Sequence, residues 1–172
     1  MSFYPEPTNI WESIEYSTLG TTIAESTWMF PTIETVHVVA LVTVIGTIAL
    51  VDLRLIGVKG HALRVSQLAK DTLPWTWGAF VLAAITGALL WVSKASSYMD
   101  NPWFIAKLAL LALAGLNMMY FHMTTWRAVD HWELDPSFPT EAKVAGWLSL
   151  VFWLIVVFCG RMIGFTLGIF GS

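Results

Sequence analysis

The stretch TIETVHVVALVTVIGTIALVDLRLIG, residues 32–57, decides the fold of this chain. It is mostly apolar and longer than the roughly 20 residues with which a helix crosses about 30 Å of hydrocarbon. Residues 75–95, 102–126 and 144–170 share this property. Because hydrocarbon offers the backbone no hydrogen-bond partner, each of the four stretches is predicted to form a membrane-spanning helix.

The composition of the whole chain also indicates a membrane protein. Of its 172 residues, 56% are hydrophobic and 12% are charged, against about 25% charged residues in soluble domains. The net charge of −3 and the lack of a Lys/Arg cluster argue against a nucleic-acid partner. The sequence therefore predicts an all-α, polytopic membrane four-helix bundle, residues 32–172, in contact with the lipid bilayer.

Residues 1–31 are predicted to be a separate periplasmic or interfacial segment. Trp11 and Ile14 alternate with Glu12 and Glu15 at helical spacing, which is typical of an amphipathic helix at a membrane surface. Prolines are predicted to mark the starts of the long helices, where the missing N–H is tolerated. These residues are Pro31, Pro74, Pro102 and Pro139.

The distribution of basic residues predicts the orientation. Most of them follow the first and the third span: Arg54, Lys59, Arg64, Lys70, Arg127 and Lys143. The positive-inside rule then places these two connections in the cytoplasm and both termini in the periplasm of a bacterial inner membrane. The connection at residues 127–143 is predicted to be an ordered turn rather than a linker.

Ionisable side chains are costly in hydrocarbon, so those that persist there are candidate functional residues. With a rise of about 1.5 Å per residue, His37, Lys107 and Arg161 are predicted to meet in the outer half of the bundle. Glu34 lies one helical turn before His37. It is predicted to hydrogen-bond one ring nitrogen of His37 and so fix the other nitrogen as a ligand.

A second polar level is predicted in the cytoplasmic half. His122 and Asn117 lie near the cytoplasmic end of the third span. Asp52 lies on roughly the same helix face as His37, since the two are about four turns apart. Asp52 and Arg54, near the cytoplasmic end of the first span, are interpreted as a local pair whose side chains extend to the membrane surface.

Haem is the cofactor that these residues suit best. It requires one or two axial ligands, commonly His, and cations beside its propionates. His37 is predicted to be the axial ligand, with Lys107 and Arg161 as propionate partners. His122 is a candidate second metal ligand or a contact to a quinone. Two other interpretations remain open: histidines that merely bond helices together, and copper bound with the help of sulfur from Cys159 and several methionines.

Several motifs carry a resemblance to known proteins. They are Phe30-Pro31-x-x-Glu34-x-x-His37, Val51-Asp52-Leu53-Arg54-Leu55-Ile56-Gly57, Leu73-Pro74-Trp75, Thr86-Gly87, Asn101-Pro102-x-Phe104-x-x-Lys107, Asn117-x-x-x-x-His122 and Gly160-Arg161. Over nearly its whole length the chain resembles an uncharacterised family of small four-helix bacterial inner-membrane proteins. More remotely it is similar to the CopD-type copper-resistance proteins and the HemJ-type protoporphyrinogen oxidases. The HemJ-type resemblance implies that His37 and Lys107 matter for a bound b-type haem.

The function expected from the sequence is electron transfer by a membrane protein that binds b-type haem. Such a protein would act as a cytochrome-like subunit, with a membrane or periplasmic redox partner or as a homo-oligomer, rather than as a stand-alone enzyme. Two further classes stay open. One is a non-catalytic accessory or anchoring subunit of a larger membrane complex, and the other is a copper- or metal-handling membrane protein.

Overall fold

The computed structural model describes residues 5–58, 64–135, 137–167 and 169, and within these ranges all regular structure is helical. The long helices are α3 (Met29–Leu55), α4 (Val65–Val92), α6 (Pro102–Met123) and α8 (Thr140–Thr166). The short ones are α1 (Ile10–Glu15), α2 (Thr18–Glu25), α5 (Ala95–Met99) and α7 (Val129–Trp132), with a 3-10 turn at Thr125–Ala128. In the described chain, four segments are long and apolar enough to span a membrane. The predicted all-α membrane four-helix bundle is thereby confirmed.

The start of α4 differs from the sequence prediction. This helix begins at Val65 and continues through Pro74, which lies inside it rather than at its start. Glu133 caps the early start, because its Oε2 accepts hydrogen bonds from the Ser66 backbone N–H at 3.2 Å and from the Ser66 hydroxyl at 2.6 Å. Proline lacks the N–H donor and its ring crowds the carbonyl group four residues earlier, but packing in a membrane bundle allows a helix to continue through it.

The four long helices pack as two pairs. α3 lies along α4, α6 lies along α8, and α3 joins the pairs through its contact with α8. In contrast, α4 and α6 make at most marginal contact, so the bundle is open along one side. The centre of the bundle is a dry layer, defined here as Val44, Trp153 and Val156, all of which are buried.

At one end of the bundle, the short helices α1, α2 and α5 form a cap. The Trp11 and Trp91 rings meet edge to face with centroids 6.1 Å apart, and the Ser96 N–H donates to Glu15 Oε2 at 3.0 Å. Gly20 allows this close approach, because a Cβ there would lie 2.9 Å from the Val92 carbonyl oxygen. Trp11, Glu15 and Gly20 of the N-terminal segment are therefore in contact with α4 and α5. We call the part of the bundle between this cap and the dry layer the His37 half.

The opposite end, the Asp52 half, is closed by the chain between α6 and α8. Val129, Trp132 and Phe138 are buried there in a cluster with residues of α3, α4, α6 and α8. The described part of residues 127–143 is therefore ordered, as predicted. The interpretation of Arg54 was wrong, because its side chain does not extend to the surface. It is only 2% exposed, and its guanidinium lies 4.5 Å from the centre of the Phe138 ring.

Candidate functional site

His37 is held in the bundle by a hydrogen bond between α3 and α4. Its Nδ1 lies 3.0 Å from Thr86 Oγ1. The Thr86 hydroxyl can donate to the Leu82 carbonyl oxygen at 2.7 Å or to the Ala83 carbonyl oxygen at 3.2 Å, and its Oγ1 can then accept from Nδ1 of His37. In the neutral ring with the proton on Nδ1, Nε2 keeps its lone pair. The arrangement is thus compatible with the tautomer in which Nε2 can bind a metal.

Two glycines lie beside the polar groups in this half, and one of them makes room for the His37 ring. A Cβ at Gly87 would lie 3.0 Å from Cε1 of His37, so the imidazole packs directly on the α4 backbone. A Cβ at Gly160 would lie 3.8 Å from Nζ of Lys107. The Lys107 ammonium is also close enough to His37 for the two groups to interact electrostatically. Side chains from α3, α4 and α6 therefore meet here against α8.

Glu34 does not take the place that the sequence suggested. Its side chain is exposed, and the Nδ1 atom of His37 bonds Thr86 instead. The carboxylate of Glu34 lies near the α5 cap. There, burial and, to a smaller degree, Glu34 raise the pKa of the Tyr98 phenol to about 12. The group that orients His37 is the Thr86 hydroxyl on α4. The sequence predicted a nearby carboxylate for this role.

Arg161 also lies apart from His37 and Lys107. Its side chain is exposed, and its guanidinium lies 4.5 Å from the centre of the Phe165 ring, one turn further along α8. The preceding residue, Gly160, faces Lys107 instead. The predicted cluster of His37, Lys107 and Arg161 is therefore reduced to His37 and Lys107. Arg161 lies on another face of its helix.

The Asp52 half contains a cavity of about 640 Å³ between α3, α4, α6 and α8. Its lining is largely apolar and includes five aromatic side chains, Trp77, Phe80, Phe121, Trp126 and Trp153. Residues of both α4 and α6, which make at most marginal contact with each other, line the cavity. Its volume falls within the range of about 300–1,000 Å³ typical of small-molecule and cofactor sites.

His122 and Asn117, both predicted site residues, line this cavity. His122 is exposed, and its Nδ1 donates to the Met118 carbonyl oxygen at 2.9 Å. Its Nε2 is therefore also the unprotonated nitrogen of the neutral ring. The Asn117 amide donates to the Ala145 carbonyl oxygen at 3.0 Å and links α6 to α8. The structure thus places these two residues together, but on the other side of the dry layer from His37.

Asp52, which the sequence analysis placed in the cytoplasmic polar level and interpreted as a partner of Arg54, is a cavity residue. It is 6% exposed and lines the cavity. Ser149 is its side-chain hydrogen-bond partner, while its Oδ2 atom is buried with no partner among the described residues. The signal was present in the sequence, since the spacing of fifteen residues puts Asp52 on the same face as His37, toward the bundle interior.

The dry layer separates these two polar sites. Val44 lies about two turns from both His37 and Asp52, which is about 10–12 Å along the helix axis. Within the described ranges, no group of three or more His, Cys, Asp and Glu side chains is arranged to hold a metal ion. The chain therefore presents isolated imidazoles rather than a multidentate metal cluster in the part that the structure describes.

No protein-family model, curated protein or solved structure matches this chain. Its function is therefore inferred from the geometry of its two polar sites.

Proposed function

We propose that this chain binds b-type haem within its membrane-spanning bundle and takes part in electron transfer. The observation that carries the proposal is the state of His37. Its Nδ1 is within hydrogen-bond distance of Thr86 Oγ1, which suits the tautomer that keeps a lone pair on Nε2. This is the form of imidazole that coordinates haem iron. When bound, the haem would supply one-electron redox chemistry.

The surrounding residues fit this role in part. Lys107 supplies a cation beside His37, as a haem propionate requires. Arg161, which faces away from Lys107, is not part of this proposal. His122 has the same protonation pattern as His37, but the dry layer lies between them. The two imidazoles would therefore serve separate positions rather than opposite sides of one iron.

The proposal includes a location and a partner. We place the His37 half toward the periplasm of a bacterial inner membrane, because the basic connections of the sequence lie at the other end. A redox partner would then meet the cap of α1, α2 and α5. An accessory subunit without cofactor and a metal-handling protein remain alternatives, and the experiment below distinguishes the first of them from the haem protein.

Absorption spectroscopy tests the proposal. The protein is purified in detergent from cells supplied with a haem precursor, and its Soret band and pyridine haemochrome are recorded. His37→Gln should remove or strongly reduce the Soret band. Thr86→Val should weaken haem binding by about 10–100-fold, because it removes the group that orients the ligand. His131→Gln is the matched control, since His131 is exposed in α7 and lies outside the cavity lining.

Two results would contradict the haem proposal. The first is a wild-type protein that is folded but has no Soret band, which would favour the accessory subunit. The second is a spectrum that His37→Gln leaves unchanged relative to His131→Gln.

A further inference from the structure

The cavity of the Asp52 half has the features of a binding site for a molecule that dissolves in the bilayer. We propose that it binds a membrane quinone, in the oxidised or reduced form, with the quinone ring beside Asp52. This inference rests on the cavity and its carboxyl group. It does not depend on whether His37 binds haem.

Size and lining favour a planar ring with an apolar substituent. The cavity measures about 640 Å³, and sites of this size enclose cofactor-sized molecules. Trp153 lies at its inner wall and Phe121 on α6. Aromatic side chains pack well against flat rings in stacked or edge-to-face arrangements. The predominantly apolar wall suits a hydrocarbon-rich ligand and offers little to a charged, water-soluble one.

The carboxyl group of Asp52 indicates what the ligand must carry. More than nine-tenths of this residue is buried, and Oδ2 has no hydrogen-bond partner in the described chain. A buried polar atom without a partner is unfavourable, so it commonly marks a place where a ligand or water completes the bonding. A quinol hydroxyl can donate to the carboxylate, and a protonated carboxyl can donate to a quinone carbonyl.

The position of the cavity indicates the route by which the ligand arrives. It lies behind the gap between α4 and α6, the two neighbouring long helices that make at most marginal contact. Leu73 and Trp77 on α4 and Met118 on α6 line the cavity and are exposed on the membrane-facing surface. A molecule dissolved in the bilayer can therefore enter sideways without passing through the dry layer.

Binding of decylubiquinone, a quinone with a short tail, tests the inference. The full chain is purified in detergent, and quenching of its tryptophan fluorescence is followed, since Trp77, Trp126 and Trp153 line the cavity. Saturable quenching is expected for the wild type. Decylbenzene, which has a similar ring and tail but no oxygen atoms, is used as a competitor and should displace the quinone poorly.

Two variants locate the site. Gly115→Leu should abolish saturable quenching, because Gly115 lines the cavity and has open space around it, so the larger side chain fills the cavity without a clash. Gly46→Leu is its matched control, since Gly46 also has open space but lies outside the cavity lining. Asp52→Leu should weaken quinone binding about tenfold through the loss of the hydrogen bond to its carboxyl group.

Three outcomes would overturn the inference. Displacement of the quinone by decylbenzene at concentrations similar to those at which the quinone binds would show that the cavity accepts any apolar molecule. Equal quinone binding by the Gly115→Leu and Gly46→Leu variants would place the quinone elsewhere. Unchanged binding by a folded Asp52→Leu variant would remove the role of the carboxyl group. Each can occur whether or not the protein shows a Soret band, so the quinone and haem proposals fail independently.

Discussion

At the scale of single residues, the position of His37 depends on the glycine that faces it. The ring packs on Gly87 so closely that a methyl group there would lie 3.0 Å from Cε1. Small residues are common where membrane helices approach each other, because they let backbones and side chains come close. At this contact the glycine lets an imidazole lie between α3 and α4 while its Nδ1 reaches Thr86.

Gly87→Ala is expected to lower the free energy of unfolding by about 1–3 kcal/mol, because the added carbon forces the His37 ring to move within a packed interface. Gly78→Ala, in the same helix, is the control. A Cβ at Gly78 meets no atom within 4 Å, so this variant should be neutral or slightly more stable, since alanine favours helix. Unfolding in mixed micelles measures both. Equal stabilities of the two variants would contradict the proposed contact.

Tyr98 gives a pH-dependent prediction. Burial and, second, the Glu34 carboxylate raise its pKa from 10.0 to about 12. The folded state therefore keeps the phenolic proton longer than the unfolded state does. Stability from this group is complete below about pH 10 and is lost as pH rises toward about 12, by about 2–3 kcal/mol in all.

The measurement is the free energy of unfolding at about pH 9 and about pH 11, for the wild type and for Tyr98→Phe. Subtracting the two pH profiles removes the contributions of the lysines and other tyrosines, which the variant retains. The wild type should lose more stability than the variant between these values. Parallel pH profiles of the wild type and Tyr98→Phe would show that Tyr98 has the same pKa in the folded and the unfolded state.

At the scale of elements, the start of α4 depends on a residue far away in sequence. Arg64 at the N-cap of α4 makes no side-chain cap hydrogen bond. Glu133, which follows α7 in the chain, supplies the acceptor instead. It is 4% exposed and also pairs with Arg64 at 3.9 Å. This long-range cap joins α4 to the chain that precedes α8.

Glu133→Ala is expected to cost about 1–2 kcal/mol, as the loss of a helix cap does. The backbone amide of Ser66 and its neighbours in the first turn of α4 should exchange hydrogen faster with solvent. Glu141→Ala, at an exposed position in the first turn of α8, is the matched control. Unchanged exchange in the first turn of α4 would refute the capping role.

The sequence predicts the four spans well because their length and hydropathy are local properties of the chain. The sequence does not predict that α4 starts before Pro74, since the cap of the earlier turns comes from the distant residue Glu133. Helix depth predicts that His37 and Lys107 lie at one level, and the structure brings them together. Depth does not give the rotation of a helix, so Arg161 was misplaced. The role of Thr86 was recognised only from its contact with His37.

At the scale of the whole molecule, the orientation in the membrane is a testable expectation. Thr27 lies beside the α1, α2 and α5 cap and Asp130 in α7, and both are exposed at opposite ends. A membrane-impermeant maleimide applied to spheroplasts should label Thr27→Cys, whereas Asp130→Cys should be labelled only after permeabilisation. The native Cys159 is buried and should stay unlabelled. The reverse pattern would invert the proposed topology.

The dry layer of Val44, Trp153 and Val156 has an electrical consequence. A thin region of low dielectric between two more polarisable levels carries a large share of any transmembrane voltage. An electron that crossed the full voltage would change in energy by about 2.3 kcal/mol per 100 mV. If the His37 half and the Asp52 cavity exchange electrons, the equilibrium between them responds to the transmembrane voltage.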